Sequence, residues 1–407
     1  MTEEGALDGV RVLDFTSMMS GPYCTRLMAD LGAEVIKIET PEGDYIRMRV
    51  PIRDGKSTYF AHLNCGKKSV ALDLKKPGAV ALVRELVAKC DVVVENFRPG
   101  VMERLGLDYA TLAEINPKLV YCSISGFGQS GPLAQRSAYA PVLHAASGFD
   151  MAYLAQQDGI ERPLKSGIFV ADVLGGSLAF GGIQAALFRC ARVGRGEYVD
   201  MSMMDSMLGM LVYECQAAQF PSKRKRPLYQ PTRAKDGFII IAPVSQNNFE
   251  ALAIATGHSE WITDPRFSND ARDEIYGSHR EYNWDALMAL LDEWAGQKTA
   301  EECEAILNAG GVPCSRYFTV GEAMNQPQVI ERGSFATLDD GAGPFKVPNP
   351  AFKYRNTVAR ARNGVPALGG DTDAILAKVL GYSAERIAEL RDRKIVAPRA
   401  TAKPNAA

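Results

Sequence analysis

Residues 9–39 have the sequence GVRVLDFTSMMSGPYCTRLMADLGAEVIKIE, and this stretch decides the fold. Residues 9–15 form an apolar run of the kind found in buried strands. Residues 21–31 have a proline in their first turn and a glycine directly after them, which predicts a helix. Residues 33–39 are a second apolar strand. Two strands joined by a short helix predict a βαβ unit with parallel pairing and a right-handed crossover.

The same alternation continues along the first half of the chain. Strands are predicted at 68–74, 91–95 and 118–123, and helices at 77–90 and 108–115. Strands and helices that alternate in this way predict an α/β domain with a doubly wound parallel sheet. In such a domain the ligand crevice lies at the carboxyl ends of the strands.

The length of the chain predicts a second domain. At 407 residues it exceeds the roughly 250–300 residues at which single cores stop growing. Residues 220–236 are basic and proline-marked but lack interleaved aromatic residues, which favours a solvated linker over a nucleic-acid patch. Residues 238–242 open a smaller domain, and turn signals after residue 327 indicate a segment that crosses back over a surface. Helices of the smaller domain are predicted at 246–256, 281–296 and 299–309.

The composition excludes several classes of protein. With 46% hydrophobic and 23% charged residues and a net charge of −2, the chain has no bulk attraction for nucleic acid or for an anionic membrane. Residues 1–9 lack the basic and apolar regions of a signal peptide, so we expect a cytoplasmic protein without a membrane segment. The eight cysteines never form Cys-x-x-Cys and the four histidines are scattered, so we expect free thiols and no metal site.

The stretch GFGQSGP, residues 126–132, formally matches the G-x-G-x-x-G fingerprint of dinucleotide binding. That fingerprint requires the first βα turn and an apolar helix directly after it. Here the stretch follows a late strand and runs into Pro132, so a nicotinamide dehydrogenase is the least favoured hypothesis. Lys75, Arg98 and Arg104 fall near predicted strand ends, where they form either a phosphate-binding rim or scattered surface charges.

The stretch GIFVADVLGG, residues 167–176, is where we expect the chemistry. Its first half predicts a buried strand that ends at Asp172, and residues 177–190 predict a long apolar helix. A carboxylate at a helix N-terminus is favoured in its ionised form. Gly175 and Gly176 leave room for a substrate beside it. These features suit a carboxylate nucleophile, and the alternative is a structural N-cap with packing glycines.

Taken in order, these segments resemble the family III CoA-transferases, the family that includes formyl-CoA:oxalate and carnitine CoA-transferases and the α-methylacyl-CoA racemases. The motifs that carry the resemblance lie at residues 12–16, 21–22, 29–39, 64–69, 72–75, 94–100, 126–132, 172–176, 194–196 and 368–373. The resemblance implies a homodimer in which two chains are interlocked rings. It also implies a large Rossmann-like CoA-binding domain built from residues 1–219 and 327–407, with a small domain at 237–326.

The same resemblance implies the roles of individual residues. Asp172 matches the nucleophilic aspartate, and N–H groups beside Gly175 and Gly176 are the expected oxyanion donors. The expected coenzyme A contacts are Met19, Ser20, Leu72, Lys75, Asn96, Phe97, Arg98, Arg104, Arg136, Tyr139 and Met203. The implied substrates are an acyl-CoA thioester and a carboxylic acid acceptor, with no permanently bound cofactor.

The implied mechanism begins with attack of ionised Asp172 on the donor thioester, which gives a mixed anhydride and CoA thiolate. The thiolate then attacks the aspartyl carbonyl and forms an aspartyl-CoA thioester, and the acceptor carboxylate repeats the exchange in reverse. Each step passes through an oxyanion.

Several positions depart from the pattern of formyl-CoA transferase. Met19 stands where that enzyme has a glutamine, and Ala140 stands where an acidic residue often follows Tyr139. Thr40 and Ser137 replace basic residues on the adenine and phosphate sides. The glycine-rich flap that covers oxalate-type substrates is missing, so we do not expect oxalate to be the acceptor.

Two alternatives stay open. An α-methylacyl-CoA racemase uses a histidine and an aspartate as bases, but its histidine lies where this chain has Tyr139, and a phenol with a pKa near about 10 is a poor base. His144 lies in an apolar run that is typical of a packed histidine. The second alternative is a CoA-binding homologue without turnover. Asp172 with its glycines argues against it, and the missing polar groups at Met19 and Ala140 leave it open.

Overall fold

The structure is a computed structural model that describes residues 4–163, 165–221, 228–267 and 283–398. The chain forms two compact units, one from Met1–Glu214 with Glu331–Ala407 and the other from Cys215–Ile330. The strands are β1 (Arg11–Asp14), β2 (Glu34–Glu39), β3 (Ile52–Arg53), β4 (Lys56–Ser57), β5 (Lys68–Ala71), β6 (Val92–Glu95), β7 (Val120–Ser125), β8 (Glu197–Ser202), β9 (Thr232–Arg233), β10 (Phe238–Ile241), β11 (Cys314–Arg316), β12 (Phe335–Asp339) and β13 (Pro344–Pro348).

The described α-helices are α1 (Ser20–Asp30), α2 (Thr58–Asn64), α3 (Ala79–Val87), α4 (Val101–Leu105), α5 (Tyr109–Ile115), α6 (Ala140–Ala146), α7 (Phe149–Leu154), α8 (Val170–Val193), α9 (Met203–Met210), α10 (Val212–Gln219), α11 (Gln246–Thr256), α12 (Trp284–Ala295), α13 (Ala300–Ala309), α14 (Val320–Ala323), α15 (Pro327–Glu331), α16 (Thr372–Leu380) and α17 (Ala384–Asp392). Short 3-10 helices lie at Tyr45–Met48 and at Ser259–Ile262.

A six-stranded sheet organises the first unit. Its strand order is β5-β2-β1-β6-β7-β8, and every neighbouring pair is parallel. The predicted α/β fold with a parallel sheet is therefore confirmed. The chain order reverses direction between β1 and β6, where Leu13 pairs with Val93. Such a switch point opens a crevice outside the carboxyl ends of the two strands, which is the ordinary ligand position in this architecture.

Hydrophobic cores cover both faces of this sheet. Along β1, Val12 and Leu13 point to opposite faces and are both fully buried. Leu13 joins the core beneath α3, α5, α16 and α17, while Val12 joins the core beneath α1, α6, α8 and α9. Burial on both faces explains why residues 92–94 of β6 are a continuous run of valines rather than an alternating pattern.

A buried ion pair closes the carboxyl end of β1. Asp14 is fully buried and lies 3.1 Å from the Lys67 ammonium, and it accepts hydrogen bonds from the Thr16 and Thr25 hydroxyls. Burial by itself would raise the pKa of Asp14, but the charges of Lys67 and Lys37 and these hydrogen bonds hold that pKa below its usual value. Burial lowers the pKa of Lys67 to about 8. The pair fixes the start of the crevice loop.

The end of the described chain packs on the same sheet. The Ser69 amide donates to the Asp371 carboxylate at 2.9 Å, and Leu72 forms an isolated bridge with Val396. Residues 335–348, where the sequence showed only turn signals, contain the antiparallel hairpin β12–β13. The hairpin was missed because its short strands carry prolines and charged residues.

The second unit is built around an antiparallel sheet of order β11-β10-β9. Its core is formed by buried residues of α11, α12 and α13, among them Phe249, Leu291 and Trp294. The predicted helices 246–256 and 299–309 are confirmed, and each begins with a capping box. The predicted helix 281–296 is confirmed from Trp284, and its first two residues lie outside the described ranges. Residues 203–219 form two helices, α9 and α10, which are divided at Leu211.

Candidate active site

Asp172 lies in the first turn of α8 rather than after a strand. The strand expected before Asp172 is absent, because Ile168 is 80% exposed and the helix already begins at Val170. A short apolar run does not distinguish a buried strand from the first turn of a helix. Among the described residues α8 is the one helix long and apolar enough to span a membrane, by length and composition alone. It packs against α1, β7 and β8, as a core helix does.

The glycine pair allows α8 to approach two other elements. A Cβ atom on Gly175 would come within 2.9 Å of Met203 Cγ, and one on Gly176 would come within 2.5 Å of the Ser20 carbonyl oxygen. Both glycines lie beyond the first four residues of α8, so intrahelical hydrogen bonds use their N–H groups. In the structure, therefore, Gly175 and Gly176 allow close packing of α8. That N–H groups near them donate hydrogen bonds to an oxyanion stays a prediction.

The electrostatics of Asp172 differ from the sequence-based expectation. Burial raises the pKa of Asp172 to about 6, and a hydrogen bond with the Ser20 backbone amide only partly opposes this effect. The expectation that the helix terminus favours the ionised form is therefore wrong in its net effect, because burial outweighs the N–H donors. No salt bridge to Asp172 occurs within the described ranges. Its negative charge also raises the pKa of the partly buried Tyr59, after burial itself.

The loop before α1 is held tightly at the switch point. The Ser17 amide donates to Asn96 Oδ1 at 2.9 Å, and Asn96 Nδ2 donates to the Ser17 carbonyl at 2.8 Å. Met18 has a left-handed φ of 66°, and its amide donates to Asp44. This loop sets the position of the Ser20 amide against Asp172. The amide group of Asn96, an expected coenzyme A contact, is used to hold the loop.

A cavity of about 180 Å³ opens in front of Asp172. It brings together eight of the predicted site residues, which are Ser20, Asn96, Phe97, Arg98, Arg136, Tyr139, Asp172 and Met203. The guanidinium groups of Arg98 and Arg136 form no ion pair with any described residue, and the Arg136 guanidinium carbon lies 5.8 Å from the Phe127 ring. Two unpaired cations at the rim suit an anionic ligand.

Six predicted residues lie outside this cavity, namely Met19, Leu72, Lys75, Arg104, Gly175 and Gly176. Leu72 is fully buried in the core and its amide donates to the Glu39 carbonyl, so the side chain is not available to a ligand. Met19 packs against the buried cluster of Ile46 and Phe60. Lys75 and Arg104 are exposed beyond the carboxyl ends of β5 and β6.

Two residues of the site escaped the sequence analysis. Ser125 is 8% exposed and lines the cavity, yet its hydroxyl has no hydrogen-bond partner among the residues that the structure describes. Glu95 is buried, which raises its pKa to about 7, and it accepts the Phe97 amide at 2.7 Å. Glu95 lines a separate cavity of about 270 Å³ under the same loop, and Asp172 does not line that one. Ser125 carries no local sequence signal. Glu95 falls within the 94–100 motif, but the burial that raises its pKa depends on residues distant in the chain.

The chain matches the family model described as CoA-transferase family III over residues 7–372. The chain belongs to this family. It is accordingly an enzyme of the CoA-transferase class, and enzymes of this class act on CoA thioesters and carboxylates.

Curated relatives of this family III CoA-transferase are similar along nearly their whole length. The acetyl-CoA:oxalate CoA-transferase of Acetobacter aceti is 39% identical, over 90% of this chain and 93% of the relative. The succinyl-CoA:glutarate CoA-transferase of Homo sapiens is 31% identical, over 96% and 90%.

Solved structures have the same fold. A CAIB/BAIF family protein from Brucella suis is 33% identical with a TM-score of 0.78, covering 92% of this chain and 100% of that one. The protein Rv3272 from Mycobacterium tuberculosis is 28% identical with a TM-score of 0.81, over 92% and 99%.

The structure also bears on the racemase alternative for this family III CoA-transferase. His144 is fully buried, and among the described residues no histidine lines the cavity of Asp172. Tyr139, at the racemase histidine position, lines the cavity but is a phenol. A pair of bases on opposite faces of a substrate is therefore not provided by a histidine here.

Proposed function

We propose that the enzyme moves CoA from an acyl-CoA thioester to a carboxylic acid through an aspartyl-CoA thioester on Asp172. One observation carries the proposal. The Asp172 carboxylate lines a cavity, no cation of the described residues pairs with it, and burial raises its pKa to about 6. A carboxylate of this kind is ionised at neutral pH but poorly stabilised, which favours nucleophilic attack.

The first half of the reaction exchanges CoA for an aspartyl bond. A carboxylate oxygen of Asp172 attacks the thioester carbonyl carbon, the C–S bond breaks, and CoA leaves as the thiolate. The thiolate then attacks the aspartyl carbonyl of the mixed anhydride. The C–O bond on the aspartyl side breaks, and the donor acid leaves as a carboxylate that carries one oxygen from Asp172.

The second half is the same exchange in reverse. The acceptor carboxylate attacks the aspartyl thioester and releases the thiolate, which then attacks the acceptor's acyl carbon. Asp172 is regenerated as a carboxylate that keeps one oxygen from the acceptor. No oxidant, metal or net proton transfer is needed, and hydrogen-bond donors that face the developing oxyanion accelerate each step.

We further propose that the acceptor is a dicarboxylic acid. Arg98 and Arg136 line the cavity without an ion pair to any residue in the described ranges, so one of them is available to a second carboxylate while the other meets CoA phosphate. The two relatives described above are named for oxalate and glutarate, both dicarboxylates. The missing glycine-rich flap argues against oxalate as the acceptor. Oxalate is therefore compared with longer dicarboxylates in assays of the acceptor.

The remaining parts of the proposal concern assembly and location. We propose a cytoplasmic homodimer of interlocked chains, with Met19, Leu72 (through its backbone), Lys75 and Arg104 as coenzyme A contacts. What supports the dimer is the apolar surface of α8, where Leu178, Phe188 and Val193 are 49%, 66% and 58% exposed. Light scattering that gives the mass of one chain would contradict it.

The test of the transfer reaction is intact-protein mass spectrometry after incubation with acetyl-CoA and succinyl-CoA. Asp172→Asn is compared with the matched control Asp205→Asn, which removes an exposed carboxylate from the first turn of α9. We expect a covalent CoA adduct in the wild type and the control, and none in Asp172→Asn. An adduct or turnover in Asp172→Asn would contradict the proposal, as would α-carbon deuterium exchange without any adduct.

A further inference from the structure

His144 occupies a position directly behind Asp172. It lies on α6, its side chain is fully buried, and it makes two hydrogen bonds. The imidazole Nδ1 is 2.8 Å from the Ser166 hydroxyl, and Nε2 is 3.2 Å from the backbone nitrogen of Ala171. Ala171 is the residue before Asp172, so this histidine contacts the backbone that carries the carboxylate.

These contacts determine the tautomer of His144. The Ala171 N–H can only donate, so Nε2 must be the acceptor and the proton lies on Nδ1, which donates to Ser166. Burial lowers the pKa of His144, which the charge of Asp150 partly opposes, and this keeps the imidazole neutral. Since both nitrogens are engaged, the ring has no free atom with which to act as a base on a substrate.

The first turn of α8 needs such an acceptor. Its N-cap residue, Phe169, has no side chain that can accept a hydrogen bond from the first turn. The Val170 amide donates a hydrogen bond to the Ile168 carbonyl, and the Val173 amide donates one to the Phe169 carbonyl. The Ala171 amide has neither option, and the imidazole takes the place that a Ser or Asp N-cap usually fills.

The first turn is therefore held from two sides. On one side the Ser20 backbone amide forms a hydrogen bond with Asp172, and on the other His144 accepts a hydrogen bond from the Ala171 amide. Loss of either contact would let the turn rotate or fray and would move the carboxylate. Displacement of a reacting group by about 1 Å can reduce a rate by about 10²-fold.

We propose that His144 is a positioning residue that caps α8 from a neighbouring helix and thereby aims Asp172 at the thioester. The inference rests on the proposed function, because it concerns the attack by Asp172. His144 does not line the cavity. Its proposed role concerns the rate of transfer rather than the binding of coenzyme A.

The test compares two replacements of similar size. In His144→Gln the Oε1 atom lies near the position of Nε2 and retains an acceptor for Ala171, whereas His144→Leu fills the space without one. The rate of CoA-adduct formation in a single turnover is measured together with the KM for acyl-CoA and the thermal midpoint. We expect His144→Leu to slow the adduct about tenfold or more with KM nearly unchanged, and His144→Gln to recover most of the rate.

The outcomes separate this inference from the proposed function. If the wild type forms no adduct, both are wrong. If the wild type forms an adduct and His144→Leu forms it equally fast, or if folded His144→Gln is as slow as His144→Leu, the positioning role alone is wrong. Should His144→Leu not fold, Ser166→Ala replaces it, because Ser166 is exposed and its loss removes the acceptor that holds Nδ1–H and the ring orientation without opening the core. We then expect adduct formation a few-fold slower at unchanged KM, and an unchanged rate would contradict the positioning role.

Discussion

Asp14 and Asp172 are two aspartates of the same unit whose surroundings are opposite. Asp14 is fully buried, meets the Lys67 ammonium at 3.1 Å and accepts hydrogen bonds from two threonines, and its pKa is held low. Asp172 forms a hydrogen bond with the Ser20 backbone amide and pairs with no cation in the described part of the chain, and burial raises its pKa to about 6. The difference teaches that partners, rather than burial alone, decide whether a carboxylate holds the fold together or remains reactive.

The largest effect should follow from the loss of the unpaired carboxylate. We expect Asp172→Asn to reduce turnover by about 10⁴-fold or more, because an amide is not a nucleophile and the covalent route is lost. Steady-state assays with purified protein measure this loss, and circular dichroism confirms that the fold is retained. Turnover within a factor of about ten of the wild type would contradict the assigned role.

The opposite result is expected for the paired carboxylate. Asp14→Asn leaves the buried Lys67 without its counter-charge and should lower the free energy of unfolding by about 3–5 kcal/mol. Urea denaturation measures this loss. The double variant Asp14→Asn/Lys67→Met removes both charges and should recover part of the stability. If the double variant is no more stable than the single one, the ion pair is not the reason for the loss.

The two aspartates should also differ in their response to pH. Asp172 takes up a proton as the pH falls through about 6. The protonated form is not a nucleophile, so the rate constant of adduct formation should fall about tenfold per pH unit below that point and level off above it. Asp14, with its lowered pKa, contributes no titration in this range. A flat profile from pH 5 to 8, with CoA binding unchanged, would contradict the raised pKa.

A smaller effect is expected at the unpaired hydroxyl of the cavity. Ser125→Ala should reduce kcat/KM about three- to tenfold if substrate supplies the missing partner, which corresponds to one ordinary hydrogen bond. The matched control is Ser206→Ala, because that buried hydroxyl already donates to the Ser202 carbonyl. Equal kcat/KM in Ser125→Ala and the wild type would show that the hydroxyl meets only water.

The smallest effect concerns stability at the reactive carboxylate. Because the pKa of Asp172 is higher in the folded protein than in the unfolded chain, its ionisation above pH 6 opposes folding. Asp172→Asn should therefore be more stable than the wild type by about 1 kcal/mol at pH 8, after allowance for partial exposure. The difference should shrink towards pH 5. Denaturation curves that show Asp172→Asn as the less stable protein at pH 8 would contradict this sign.

Much of the sheet could be predicted from the sequence. Parallel strands are buried on both faces, so the centres of β1 and β6 are apolar and lie between turn residues, and α1 has clear start and stop signals in the sequence. The predictions were wrong where a short apolar run was ambiguous. Residues before Asp172 were expected to form a strand, and the hairpin β12–β13 was not expected at all.

The site could be predicted only as a set of residues. The resemblance supplied Asp172 and its neighbours, and eight of the predicted residues do line one cavity. The sequence could not show that Asn96 holds a loop 79 residues earlier, or that His144 meets the amide of a residue 27 positions later. Nor could it show the pKa of Asp172, because burial depends on elements that are distant in the chain.

The central claim is that an oxygen atom of Asp172 takes part in the transfer. The most direct test is turnover in unlabelled water with an acceptor dicarboxylate whose carboxylates carry oxygen-18, followed by peptide mass spectrometry. The aspartyl route predicts that the peptide containing Asp172 gains oxygen-18 and that the acid released from the next donor carries it away. Product formation with Asp172 left unlabelled would contradict the account.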